Sequence, residues 1–410
     1  NVLTKLHLGN NEILQMAGRV HGRVEGGRVF ILSDRDIDFA QLRPTPPDFQ
    51  LAGDAERVAL TAAALGVRAD MLDLPVPLDG TSYRRALRLL QARGVVDEQG
   101  RLTHYGRSVE ALPVERTWAE LIVQADDDML PYLAVCSSLE SLHRMTKENR
   151  DLEGAVVWGS DHLTAYNLYA EAYREAGSIG EVYGLPRHVF DAERIAEWAE
   201  RRGVLVKSLE DAALAMARVY RSVGLPLPTQ MPWASERVLR RFQQLVARYM
   251  PFDLVIDEET AWGESARVSK TSVAGQWGAV AGTLRFFADR FGVPRASIEG
   301  TRLTADVVRE HAIRSEPELL YDARRRALVL SRRLEYYGFE LEREAEVLQA
   351  WDDDVAERAT AVLADALARG EARHVAVRRN QPAIDEVREV WRRSGGRTTR
   401  LNQQDLAALY

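Results

Sequence analysis

Residues Asn11–Leu32 read NEILQMAGRVHGRVEGGRVFIL, a glutamine, two Gly-Arg steps, a glycine turn and an apolar run. A Gly-Arg step lets the backbone approach a neighbour closely while a fixed cation reaches outward. Arginine suits phosphate because its planar guanidinium is always charged and can bind two oxygens at once. Arg19 and Arg23 lie four residues apart, so a helix over Glu12–Arg23 would place both on one face. The plainer interpretation is a surface helix with two solvated arginines. Against it stands the combination of Gln15, Gly18-Arg19, Gly22-Arg23, Gly26-Gly27 and a strand expected over Arg28–Leu32.

That combination resembles the sixth motif of superfamily-2 helicases, in particular the DEAH-box family. The family pattern is Gln-x-x-Gly-Arg-x-Gly-Arg, followed by a glycine turn and a buried strand. Here two residues, Val20 and His21, separate Arg19 from Gly22 where the family has one. The resemblance implies that Gln15, Arg19 and Arg23 are catalytic. The arginines would act as fingers on an ATP held by a neighbouring RecA-like domain, with Arg19 the firmer match.

The composition sets outer limits. At 410 residues the chain exceeds one ordinary core, and two to four domains are expected. An apolar fraction of 46% with 28% charged residues is that of a globular protein. No window approaches the length of a membrane span, and no basic-then-apolar leader opens the chain. The single cysteine, Cys136, sits in YLAVCSSL; it excludes an internal disulfide and fits a reducing, cytoplasmic compartment. A net charge of −7 argues against a generally basic nucleic-acid binder, although not against a channel lined locally by arginine. The chain begins without Met, in what reads as the middle of a domain, the expectation for a fragment of a larger protein.

Residues 1–34 are too few for their own core and are expected to lean on another domain. Residues 35–53 carry three prolines and read as an extended connector. A winged helix is expected over 54–113. Asp54 would cap a helix from Ala55 to Leu65, and Thr81 a second from Ser82 to Arg93. Val95–Val96 and Arg101–Thr103 would form a two-stranded wing around Asp97–Gly100. Arg84, Arg85, Arg88 and Arg93 invite a DNA-reading role or simply solvate the outer face. The run ALRLLQARGVVDEQGRLTHYGRSVEALPVE (Ala86–Glu115) is similar to the DEAH winged helix. There the module is a hub between motor and C-terminal domains, which supports the solvated alternative.

Residues 114–224 read as all-helical, with apolar three-to-four spacing over Trp118–Gln124, Leu130–Leu142, His162–Glu175, Asp191–Arg202 and Leu209–Val223. Ser160-Asp161-His162 is not a hydrolytic triad, because adjacent helical residues do not face one another. Asp161 is instead expected as an N-cap or first-turn acid. Asp161, His162, Leu163, Thr164, Asn167 and Tyr169 resemble the DEAH ratchet signature, and Gly203–Val219 with Trp198 resembles its next helix. The resemblance implies a helical ratchet beneath the motor domains that closes on single-stranded RNA. Lys207, Arg218 and Arg221 are then the candidate backbone contacts.

The proline-rich Leu225–Trp233 suggests a boundary. Ser235 would cap Glu236–Tyr249. An α+β region, OB-like or variant, is expected over 225–350, with strands at Phe252–Ile256, Leu319–Tyr321, Ala327–Leu330 and Phe339–Glu344, and a helix at Gln276–Phe291. Lys270-Thr271 lacks the glycines of a phosphate loop. Residues 351–410 read as a helical appendage, solvated or partner-binding, with helices over Val355–Ala368 and Asn380–Arg393.

The fold class expected is therefore multidomain and mostly α: the end of a RecA-like α/β domain, a winged helix, a helical ratchet, an α+β region and a helical tail. No phosphate-binding loop, Asp-Glu-Ala-His box or zinc-spaced Cys/His set occurs in these residues. By the resemblance, ATP and Mg2+ belong to a full-length enzyme and are not bound by this fragment alone. The expected partners are single-stranded nucleic acid, RNA by analogy, and the missing N-terminal motor domains, with no membrane. The function expected is the nucleic-acid-binding and arginine-finger portion of an ATP-dependent 3′-to-5′ helicase. The alternative is a non-catalytic scaffold keeping the same accessory domains.

Overall fold

The computed structural model describes residues 10–20, 28–32, 36–43, 55–73, 78–139, 151–275, 278–288, 294–349 and 353–393. The chain divides into two compact units. The first holds residues 1–252 and 270–274, the second 253–269 and 275–410.

The first unit begins with α1 (Asn10–Ala17), tightening into a 3-10 turn at Gly18–Val20. The α-helix ends at Ala17 and Arg19 lies in the 3-10 turn, while Arg23 lies outside the described residues. Residues 28–32 are not a strand. They have no ladder partner among the described residues, and Phe30 and Leu32 are 84% and 100% exposed. A strand exists only where another backbone takes its N–H and C=O groups.

α2 (Ala55–Ala64) and α3 (Gly80–Ala92) share a core in which Ala59, Tyr83, Leu87, Leu90 and Val95 are buried. Gly66, with φ +72°, ends α2. The cap of α3 is Asp79 rather than Thr81: its carboxylate accepts from Thr81 N at 3.0 Å and Ser82 Oγ at 2.5 Å. The wing is reduced to one bridge, Val96 to Leu102, because Asp97 turns the chain onto Gln99 N and Arg101 N. α4 (His104–Glu110) follows, capped by the Thr103 hydroxyl. Here Gly106 lies so close to Val95 that a Cβ would sit 1.9 Å from its carbonyl oxygen.

α5 (Arg116–Gln124), α6 (Leu130–Cys136), α7 (Asp161–Ala176), α8 (Ala192–Arg202), α9 (Val206–Val223) and α10 (Glu236–Tyr249) complete the helical part. α7 is buried nearly all round and forms its centre. The segment read as all-helical contains a hairpin instead, β1 (Gly177–Val182) and β2 (Leu185–Phe190). Its two-residue loop, Tyr183-Gly184, has φ +53° and +75°, the geometry of a tight hairpin turn. α10, placed after a boundary at Leu225 by its sequence, belongs to this first unit.

The second unit contains two sheets. β3 (Asp253–Ile256), β4 (Glu259–Thr260), β5 (Ala266–Val268), β6 (Ala279–Ala288) and β7 (Pro294–Leu303) run in the order β4-β3-β6-β7-β5. Only β5 and β7 are parallel. The two edges meet, through a bridge from Glu259 to Ser265 and hydrogen bonds Thr260 N→Glu264 O and Ala266 N→Glu258 O, both 2.9 Å. Where a helix is expected over Gln276–Phe291, Ala279–Ala288 form β6. Gly282 lies opposite Gly300, and a Cβ on it would meet Glu299 O at 1.9 Å; two glycines let these strands close.

α11 (Ala305–Glu310) leads to β8 (Ile313–Arg314), β9 (Glu318–Asp322), β10 (Ala327–Tyr336) and β11 (Phe339–Val347), an antiparallel sheet centred on β10. α12 (Asp353–Ala368) lays Ala359 against Leu319 and Leu328, so the tail's first helix is part of this core rather than a solvated appendage. α13 (Val375–Arg393) starts before the expected Asn380, and Arg388 donates to Ala368 O at 2.9 Å. The chain is thus mixed helix and sheet. Among the described residues, no helix is long and apolar enough to cross a membrane.

Candidate nucleic-acid interface

α7 opens with the motif singled out from the sequence, and its side chains serve packing. Ser160 is the N-cap, its hydroxyl accepting from Leu163 N at 3.1 Å. Asp161 is the first-turn acid. One carboxylate oxygen accepts from Val273 N at 2.8 Å and the other from Ser272 Oγ at 2.6 Å, binding segment 270–274 to the helix start. His162 faces elsewhere, among Trp118, Phe242 and Phe252 with ring centroids 5.2–5.7 Å away. Burial pulls its pKa down to about 4, so it is neutral. The Thr164 hydroxyl accepts from Val157 N, and the Asn167 side chain joins Ala155 O to Ala234 N. The arrangement holds loops in place and offers no nucleophile–base pair. Cys136 is equally unreactive, with its thiol pKa pushed up by burial and its Sγ 3.2 Å from His162 O.

Two buried charge networks brace this unit. Glu120 of α5, 2% exposed, accepts from Arg93 and Arg116, and Arg116 also pairs with Glu56 of α2. Arg93 is therefore no part of a solvated arginine face, whereas Arg84, Arg85 and Arg88 are exposed. In the other network Glu171 of α7 accepts from Arg202 at 2.6 and 2.8 Å and from Trp198 Nε1 at 3.1 Å. The sequence signal for each is a charge at an apolar phase of its helix; apart from Arg116, one turn from Glu120, the partners of both carboxylates lie 27 or more residues away.

The expected backbone contacts lie on α9. Lys207 and Arg218 are eleven residues apart, about three turns, which places them in line some 16 Å apart, and Arg221 is one turn further. All three are exposed. Lys207 pairs with Asp211 at 2.5 Å, and that hydrogen bond raises its pKa. Arg218 and Arg221 make no ion pair among the described residues. Gln15 of α1 and Arg19 of the 3-10 turn are both exposed.

The described residues form no nucleotide cradle at Lys270-Thr271. Arg267 and Val268 are strand β5, and Ser269 N bonds Ile298 O at 2.9 Å, so the backbone there is extended and paired. No group of His, Cys, Asp and Glu able to hold a metal ion occurs among the described residues.

No family model matches the chain. Among solved structures it is similar to the crystal structure of the E. coli DExH-box NTPase HrpB, at 15% sequence identity and a TM-score of 0.47. The likeness covers 86% of this chain and 37% of that one, so this chain spans little more than a third of that protein's length.

Proposed function

We propose that this chain is the strand-binding, C-terminal portion of an ATP-dependent RNA helicase of DEAH type, moving 3′-to-5′. Residues 54–113 are its winged helix and 114–224 its ratchet. Lys207, Arg218 and Arg221 hold the phosphates of a single strand, and Arg19 is the finger completing an ATP site whose Mg2+ and phosphates are held by upstream motor domains. Gln15 and Arg23 complete the same motif. The reading draws support from the order of its sequence motifs. A five-stranded sheet with meeting edges further supports an OB-like barrel, a common platform for nucleic-acid strands. This fragment alone hydrolyses no ATP.

The observation that carries the reading is the exposed cationic line on α9, of which Arg218 and Arg221 are unneutralised. Phosphates of one strand are the ligand that such a line fits. The test is fluorescence anisotropy of a labelled 20-nucleotide RNA across a salt series. Arg218→Ala and Arg221→Ala are each expected to weaken binding and flatten log K against log[salt] by about 0.7. Unaltered slopes in both would remove α9 from the interface.

A further inference from the structure

The β1–β2 hairpin carries two features that the helical part does not require. At its tip Tyr183 has φ +53° and is fully exposed. The first position of such a turn favours Asn, Asp or Gly, because a side chain with φ above zero is strained. Nothing in the fold packs on this ring to offset that strain. On β2 the Arg187 Nε is buried and has no hydrogen-bond partner. The cross-strand neighbour of Arg187 is Gly180, which offers it no side chain. His188, next along the strand, points to the opposite face, stacked on Tyr173 at 3.7 Å and bonded to Tyr169 Oη and Pro228 O. Arg187 has no ion pair among the described residues, unlike Arg93, Arg116, Arg201, Arg202 and Arg241 of the same unit.

β2 packs against α9, and the Arg187 charge lies near enough to Lys207 to oppose the upward shift of that ammonium's pKa. Lys207 is neutralised by Asp211 at 2.5 Å, whereas Arg187 makes no ion pair among the described residues. A guanidinium with a buried, unsatisfied N–H is unfavourable until an acceptor arrives, and a phosphate oxygen supplies both the acceptor and the countercharge. At about 3.3 Å per residue, Arg187 lies roughly 10–13 Å back from the tip. That separation suits neighbouring nucleotides of one extended strand.

We propose that the β1–β2 hairpin is itself a contact element for single-stranded nucleic acid, with Tyr183 stacking on a base and Arg187 binding a backbone phosphate. The assignment rests on the strand-binding reading and extends it from a helix face to a base-contacting finger. Stacking on an exposed aromatic ring is tolerant of sequence, because every base presents a π-face.

The test compares wild-type chain with Tyr183→Asn, Arg187→Gln and Arg187→Lys. Anisotropy of labelled 20-mer oligouridylate and oligodeoxythymidylate is read across a salt series, and melting temperature is read in parallel. Asn favours the φ of this turn, so Tyr183→Asn is expected to melt no lower than wild type while binding about tenfold more weakly with an unchanged salt slope. Arg187→Gln is expected to weaken binding and lower the slope by about 0.7, and Arg187→Lys to restore the slope. Wild-type binding with Tyr183→Asn and Arg187→Gln indistinguishable from it overturns the hairpin assignment alone. Absence of wild-type binding to either oligonucleotide overturns the strand-binding reading and the hairpin with it.

Discussion

Arg93, at the end of α3, meets Glu120, in the middle of α5, with Nη2 2.5 Å from Oε2 and Nε 2.8 Å from both carboxylate oxygens. The same guanidinium donates to Tyr249 O at 2.7 Å and Met250 O at 3.3 Å, the free carbonyls at the end of α10. With Arg116 joining Glu120 to Glu56, one buried carboxylate unites four helices from residues 55 to 250. Replacing Glu120 by Gln leaves Arg93 without its countercharge in a largely dehydrated site and Arg116 with Glu56 alone. Removing one partner of a buried pair costs about 3–5 kcal/mol. Urea unfolding followed by tryptophan fluorescence is expected to show a loss of that order, and a loss below about 1 kcal/mol would contradict a structural role for the pair.

Asp161 binds segment 270–274 through Ser272 and Val273. Lys270, exposed at the start of that segment, is one of few lysines in the chain and a ready reporter. Asp161→Ala is expected to accelerate cleavage after Lys270 by a lysine-specific protease several-fold, since cutting requires the segment to detach. Equal rates in wild type and variant would mean that the segment is held by other contacts.

His162 and His188 are both neutral in the fold, their pKa values lowered to about 4, chiefly by burial. In the unfolded chain each returns to about 6.5 and takes up a proton that the folded state refuses. Their contribution to stability is present above about pH 6.5 and is lost as pH falls from there toward 4. Melting temperature should decline across that window. His162→Phe should decline less steeply there than wild type, and an identical slope would count against a neutral buried His162.

Arg19 is exposed on its 3-10 turn, reachable by a partner's phosphate. In a protein carrying this chain behind an intact motor, Arg19→Ala is expected to abolish RNA-stimulated ATP hydrolysis while RNA affinity stays close to wild type. Arginine fingers contribute on the order of 10³–10⁵ in rate in GTPases. Unchanged turnover would end the finger assignment and favour the scaffold alternative.

The helices of the first unit were readable because their signals are local. Asp191–Arg202 and Leu209–Val223 follow apolar spacing with Gly203 and Gly224 as left-handed stops. The hairpin has little local signal because Ser178, Gly180 and Pro186 are poor strand formers, and β2 is held by packing against α9. Within Gln276–Phe291, AVAGTLRFFA satisfies a helical period nearly as well as an extended one, so local pattern alone points to a helix. What decides it is Gly300, opposite Gly282 and eighteen residues later. α12 looked solvated for a similar reason: the surface that covers Ala359 is made by β9 and β10.

For the candidate interface the division is sharper. The line of Lys207, Arg218 and Arg221 follows from helical spacing alone, because 3.6 residues per turn is a local rule. Which of those cations remain unneutralised depends on where carboxylates end up, and so does the fate of Arg93, drawn inward by Glu120. Asp161 and His162 are adjacent in the chain yet serve a polar tether and an aromatic core, since successive helical side chains point about 100° apart. Local periodicity and capping are written into neighbouring residues, whereas burial, charge pairing and strand partnership arise between residues far apart. Only the folded chain brings those together.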